Sequence, residues 1–257
     1  MNDKKPLILI SNDDGFRAKG IRSLVEMIDD MADIIVCAPE DGRSGFSCAF
    51  SAVSPLRLHR RDDICHAKVW SCNGTPVDCV KLALDQLTPE HKPDMVIGGI
   101  NHGDNGSVNV HYSGTMGIVL EGCMKYIPSV GFSLCDYDDD ADFSPMRAIV
   151  RKITAEVLAN GLPDGVCLNV NCPKMPVFNG VRVCRMAKGT WGKEVERHSH
   201  TRGYDYYWMI GHYTNDEPDA TDTDNWAIHH GYVAITPTRT DVTAYEAMES
   251  LSSFFNT

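Results

Sequence analysis

Leu7-Ile8-Leu9-Ile10-Ser11-Asn12-Asp13-Asp14-Gly15 is the stretch that decides the fold. Four apolar residues run straight into two adjacent carboxylates and a glycine. A continuous apolar run of this kind, followed by a helical pattern, reads as a buried strand of a parallel sheet. Ligands of open α/β sheets bind beyond the carboxyl ends of such strands, which is where Asp13 and Asp14 fall. Neighbouring carboxylates repel each other unless a cation sits between them, so a hard metal ion fits the stretch. Asn, Asp and Gly are equally the ordinary residues of a turn. Taken alone, the stretch leaves both readings open.

Working outward, Ile21, Leu24, Val25 and Ile28 follow at helical spacing within 18–30, and Ile34 to Ala38 reads as a second buried strand. Strand, helix, strand is a βαβ unit, so the sheet is expected to be parallel. The second strand empties into Pro39-Glu40-Asp41-Gly42-Arg43-Ser44-Gly45-Phe46-Ser47, a glycine-rich polar loop offering a hydroxyl and an arginine. Residues 53–72 alternate in the manner of a β-hairpin. Thr75 then reads as the N-cap of a helix with Pro76 at its first position. Pro93 to Ile100 predicts another buried strand, discharging into Asn101-His102-Gly103-Asp104-Asn105-Gly106. Asn101 supplies a neutral oxygen of the kind that magnesium, manganese and calcium accept, and His102 and His111 are weaker loop candidates. Tyr112-Ser113-Gly114-Thr115-Met116-Gly117 precedes a helix read over 118–125. Hydroxyls and free amides at a helix start make an anion site or a plain cap. Ser129 to Leu134 is a further strand, 136–142 a solvated acidic loop and 146–158 a helix. Val166 to Asn171 reads as the last strand of the main sheet, closing a core over 1–175. Residues 176–257 read as an extension of β-hairpins, Tyr204 to Ile210 and Gly231 to Thr236 among them, ending in a helix over 242–254.

The totals narrow the function classes. The 257 residues are 43% hydrophobic and 23% charged, ordinary for a globular protein, with a net charge of -11. That balance, without a basic run, argues against duplex nucleic acid or an anionic membrane as partner. No stretch approaches the roughly 18 apolar residues of a membrane span, and no signal-peptide core is legible. Ten cysteines without a C-x-x-C pair are expected to be reduced, mostly buried thiols in a cytoplasmic protein. A zinc site built from them is improbable on spacing. A P-loop lysine, a G-x-S-x-G elbow and a G-x-G-x-x-G fingerprint are all missing. His198, His200 and the His229-His230 pair read as surface or core residues, and Asp222-Thr223-Asp224 as turns and caps.

In order and rough spacing, Ser11-Asn12-Asp13-Asp14-Gly15, Arg43-Ser44-Gly45-Phe46-Ser47, Gly74-Thr75-Pro76-Val77-Asp78, Gly99-Ile100-Asn101-His102-Gly103-Asp104-Asn105 and Tyr112-Ser113-Gly114-Thr115 resemble the SurE family. These are stationary-phase survival proteins, acid-phosphatase-like nucleotidases. Leu168 to Pro173 and Gly231 to Pro237 extend the resemblance over nearly the whole chain. It implies a metal-dependent phosphomonoesterase acting on nucleoside 5′- and 3′-monophosphates, some members also trimming polyphosphate. It carries one Mg²⁺ or Mn²⁺ per subunit onto Asp13, Asp14, Ser44 and Asn101. Phosphate binding falls to Asn105, Ser113, Gly114 and Thr115, with Asp13 and Asn105 the catalytic residues. It also implies a Rossmann-like core, mainly parallel and flanked by helices, whose C-terminal extension is exchanged in a homodimer or homotetramer. Two departures, Gly106-Ser107-Val108-Asn109 and the acidic Glu40-Asp41-Gly42, bear on substrate preference. Water is the preferred nucleophile, with attack by a carboxylate left open. The rivals are a non-catalytic nucleotide or metal sensor using the same pocket and a metal-dependent glycosyltransferase.

Overall fold

The computed structural model describes residues 5–255. The chain opens with β1 (Leu7–Ser11), α1 (Lys19–Ile28) and β2 (Asp33–Pro39), then a hairpin of β3 (Leu58–Arg60) and β4 (Lys68–Cys72). α2 (Pro76–Leu82), β5 (Met95–His102), α3 (Gly114–Met124), β6 (Ser129–Cys135), α4 (Arg147–Asn160) and β7 (Val166–Pro173) complete the regular part. Thr75 caps α2 as expected. Its hydroxyl accepts from the Asp78 amide at 3.1 Å, and the Asp78 carboxylate accepts from the Thr75 amide at 2.9 Å.

One nine-stranded sheet runs β3-β4-β2-β1-β5-β6-β7 and onward to two further strands. From β4 to β7 every pairing is parallel, while β3 returns antiparallel at the edge. This is an α/β, Rossmann-like sheet. Alternation along β1 shows why both of its faces are apolar. Ile8 and Ile10 face the side where Leu24 and Val25 of α1 and Val150 of α4 pack, and Leu9 faces Val80 of α2 and Ile118 of α3. The chain moves from β1 outward through β2 and β4, then returns to lay β5 on the other side of β1. The strand order therefore reverses between β1 and β5, and the loops leaving their carboxyl ends diverge around a crevice.

Beyond Pro173 come β8 (Val181–Val183), β9 (Gly189–Gly192), β10 (Val195–Ser199), β11 (Asp205–Met209), β12 (His212–Asn215), α5 (Asp224–His229), β13 (Val233–Arg239) and α6 (Tyr245–Phe255). The expectation that β7 closes the main sheet is corrected here. β13 pairs antiparallel with β7, from Ala234 opposite Asn171 to Arg239 opposite Val166, and β8 then pairs with β13. The run read as a hairpin over 231–236 thus belongs to the sheet. Of the two runs expected as hairpins, Tyr204 to Ile210 does form one, β10 pairing antiparallel with β11 as an exposed outer arm, and a further antiparallel pair joins β9 to β12. His198 and His200 lie on that outer arm, stacked on Tyr206 and Tyr204. α6 buries none of its residues.

Candidate active site

β1 ends in a knot of buried oxygens. Asn12 donates its amide to the Gly15 carbonyl at 3.0 Å, closing the turn that turns both acids out of the strand. Gly15 sits at φ +100°, left-handed backbone that a side chain would strain. Asp13 is 3% exposed. Its burial, then the charge of Asp14, push its carboxyl up to about 6, against the pull of hydrogen bonds from Thr115 and Gly114. Asp14 is likewise raised, by its own burial first, with His102 opposing. Ser11 Oγ, Asn12 Oδ1 and Asp14 Oδ2 are all buried without a hydrogen-bond partner. Such orphans are rare in folded proteins and call for an unseen ligand.

Three other segments reach this point. The Arg43 amide donates to the Asp13 carbonyl at 2.6 Å, which ties the loop after β2, Ser44 included, to the end of β1. Asn101, at the end of β5, spends its amide nitrogen on the carbonyls of His102 and Gly103, at 3.1 and 2.9 Å. Its side-chain oxygen is thereby left over. α3 begins at Gly114, four residues earlier than the spacing suggested, with Ser113 as its cap accepting from the Met116 amide at 3.0 Å. A Cβ on Gly114 would lie 2.7 Å from the Cβ of Asp13, so the helix start touches the acid through bare backbone.

Asp13, Ser44, Asn101, Asn105 and Ser113 line one open cleft of about 230 Å³, together with His102, Tyr112, Asn109 and Trp191. Asp14, Gly114 and Thr115 are not part of that lining. Thr115 is fully buried, and its hydroxyl donates to Asp13 Oδ1 at 2.6 Å, so it holds the acid in place. His111 offers its carbonyl to the Ser47 hydroxyl at 2.7 Å. No three His, Cys, Asp or Glu side chains converge among the described residues. The donors present are two carboxylates, a hydroxyl and an amide oxygen, hard ligands that suit Mg²⁺ or Mn²⁺ and not a thiophilic ion. The orphaned Asp14 oxygen and the raised Asp13 carboxyl both fit a cation at this place.

Other contributors carry no obvious sequence signal. Asn105 is set by a buried chain from the neighbouring strands. Its amide N–H donates to Asn171 Oδ1 at 2.7 Å and its side-chain nitrogen to Ser133 Oγ at 2.8 Å. Asn169 donates to the Asn105 carbonyl at 2.7 Å, and Asn171 to Asn169 Oδ1 at 2.9 Å. Two asparagines alternating on one face of an otherwise apolar strand were the available hint. Trp191, from β9, enters the cleft with its indole N–H on Asn109 Oδ1 at 2.9 Å. Its approach depends on a non-local contact. Asp224, the first residue of α5 after its cap Thr223, accepts from the amides of Ser107 and Ala187 at 2.8 and 2.9 Å. These bonds clip the loop after β5 to the C-terminal segment.

Against known proteins, the family model described as Survival protein SurE matches residues 8–193. A protein named 5′-nucleotidase SurE from Phocaeicola vulgatus is 52% identical, over 99% of this chain and 98% of its own. Its namesake from Bacteroides thetaiotaomicron is 48% identical over the same shares. Among solved structures, the SurE protein from Aquifex aeolicus superposes with a TM-score of 0.83 at 31% identity, covering 97% of this chain and 99% of that one.

Proposed function

The chain belongs to the SurE family, and on that premise we propose that it is a metal-dependent phosphomonoesterase releasing phosphate from nucleoside 5′-monophosphates and from 3′-monophosphates. The observation that carries the reading is the cluster of unpartnered buried oxygens at Ser11, Asn12 and Asp14 beside a carboxylate of raised proton affinity. Asp13, Asp14, Ser44 and Asn101 would hold one Mg²⁺ or Mn²⁺. When bound, that ion supplies charge neutralisation for the phosphoryl group and acidifies water.

The remaining work falls to the chain. Asn105 orients a phosphate oxygen with an amide whose position is fixed by Ser133 and Asn171. Ser113 caps α3 with an oxygen lone pair, which leaves its O–H to donate to the phosphate at a helix start that favours anions. Thr115 holds the Asp13 carboxylate still, limiting reorganisation as charge moves to the phosphoryl oxygens. Asp13 and Asn105 are the residues assigned to catalysis.

Supporting a homodimer or homotetramer built on 176–257, the outer arm exposes Tyr207, Trp208 and Met209, and α6 exposes Met248, Leu251 and Phe254. Apolar patches of this kind mark contact surfaces. All ten cysteines are free, in keeping with a cytoplasmic location, and no helix among the described residues is long and apolar enough to cross a membrane. Purified protein should release phosphate from nucleoside monophosphates when Mn²⁺ is supplied. Nucleotide binding without release would point instead to a sensor.

A further inference from the structure

A second cleft, of about 350 Å³, opens beside the first and shares Asn109 and Trp191 with it. Resting on the nucleotidase reading, we propose that this second cleft is the nucleoside subsite and that Asn225 is the residue reading the base. The first cleft has the size and polarity for a phosphoryl group. The second has the volume and aromatic walls expected of a pocket for a larger ligand.

Trp191 stands on the boundary, held by Asn109 and packed edge-on against Tyr213 with ring centroids 6.0 Å apart. Tyr137 forms the outer rim, with its hydroxyl donating to Asp104 Oδ2 at 3.1 Å. A planar base between such walls gains stacking that any base shares, so discrimination must come from a polar group. Asn225 supplies one. It is 7% exposed, and its Oδ1 is buried without a partner. Its backbone is already committed, the amide to Asp224 Oδ1 at 2.8 Å and the carbonyl to His229 Nδ1 at 2.7 Å. A carbonyl accepts and does not donate, so His229 Nδ1 carries a proton toward it and its Nε2 remains for a ligand. The carboxamide, with both a donor and an acceptor, and this nitrogen face a heterocycle edge or a sugar hydroxyl.

The scaffold is rigid. Asp224, next to Asn225, is locked to the Ser107 and Ala187 amides. Asn109 and Ser107 both belong to the segment that departs from the usual family pattern, which is where a preference particular to this chain would be written.

The test compares KM and kcat for the four nucleoside 5′-monophosphates and for p-nitrophenyl phosphate, a phosphate ester without base or sugar, all with Mn²⁺. For Asn225→Leu, the nucleotide KM should rise about tenfold relative to that of p-nitrophenyl phosphate, the loss expected for one hydrogen bond, and the order of preference among bases should change. Tyr137→Ala, at an exposed rim where folding is not at stake, should shift the same ratio in the same direction. Equal losses on all substrates in both variants, or unchanged nucleotide KM values, would overturn the subsite alone. Failure of the unmutated protein to release phosphate from any substrate would overturn the nucleotidase reading and the subsite with it.

Discussion

Asp13 sits under opposed demands. Burial and the neighbouring Asp14 favour its protonated form, while Thr115 and the Gly114 amide favour its charge. Without a cation the ionised pair costs stability, so Asp13→Asn should lower phosphatase activity by on the order of 10²–10³-fold while leaving the melting temperature unchanged or raised, as activity assays beside calorimetry would show. The pH dependence follows with a definite sign. A carboxyl whose folded pKa is raised binds its proton more tightly in the native state. Its contribution to stability is complete below the ordinary value of 3.8 and fades as pH rises through about 6. In EDTA the protein should therefore lose stability across that window, and Mn²⁺ should restore it at pH 7. A melting temperature that rises through the window in EDTA would contradict this. Gly114→Ala tests the contact itself. Its methyl would lie 2.9 Å from Asp13 Oδ2. Overpacking there should cost about 1–3 kcal/mol and displace the acid enough to lower kcat by tenfold or more, up to about 10².

At the scale of elements, β7 does more than extend the sheet. Asn169 and Asn171 project from it to fix both backbone ends of Asn105. Asn171→Ala should strand a buried N–H and cost about 1–3 kcal/mol in chemical denaturation, with activity falling beyond what the stability loss explains. The same strand shows where local reading of the sequence stops. Its apolar run was legible, as were β1, β2, β5 and β6, because burial on both faces writes itself as continuous hydrophobicity. Its partner β13 was legible only as an extended run, because pairing across more than sixty residues leaves no mark in either segment. The early start of α3 was hidden for another reason. Gly114 and Gly117 are poor helix formers, and the tertiary packing that demands them is invisible locally. A Cβ on Gly117 would fall 2.1 Å from the Ser47 carbonyl. Among candidate-site residues, Asn105 came only through the family resemblance, while Asp13, Asp14 and Asn101 at strand ends were legible by position. Trp191 and Asn225 were not, since they reach the crevice through the C-terminal segment.

On the scale of the whole molecule, the site lies at the reversal of strand order between β1 and β5, where an open α/β sheet offers a crevice without cutting any strand. The C-terminal segment is divided in its work. β13, β8 and α5 complete the sheet and brace the crevice, while the outer arm and α6 present apolar side chains to solvent. Light scattering should accordingly find a dimer or tetramer, and removal of 241–257 should weaken the association. A monomer at micromolar concentration would count against that part of the account. The central claim is that the oxygens gathered at the end of β1 hold a divalent ion that phosphate release requires. Its most direct test is phosphate release from nucleoside 5′-monophosphates by one preparation with added Mn²⁺, after EDTA, and after Mn²⁺ is returned. The account predicts release, loss and recovery, with Asp13→Asn slower by on the order of 10²–10³-fold when Mn²⁺ is present. Undiminished turnover in excess EDTA, or full activity in Asp13→Asn, would contradict it.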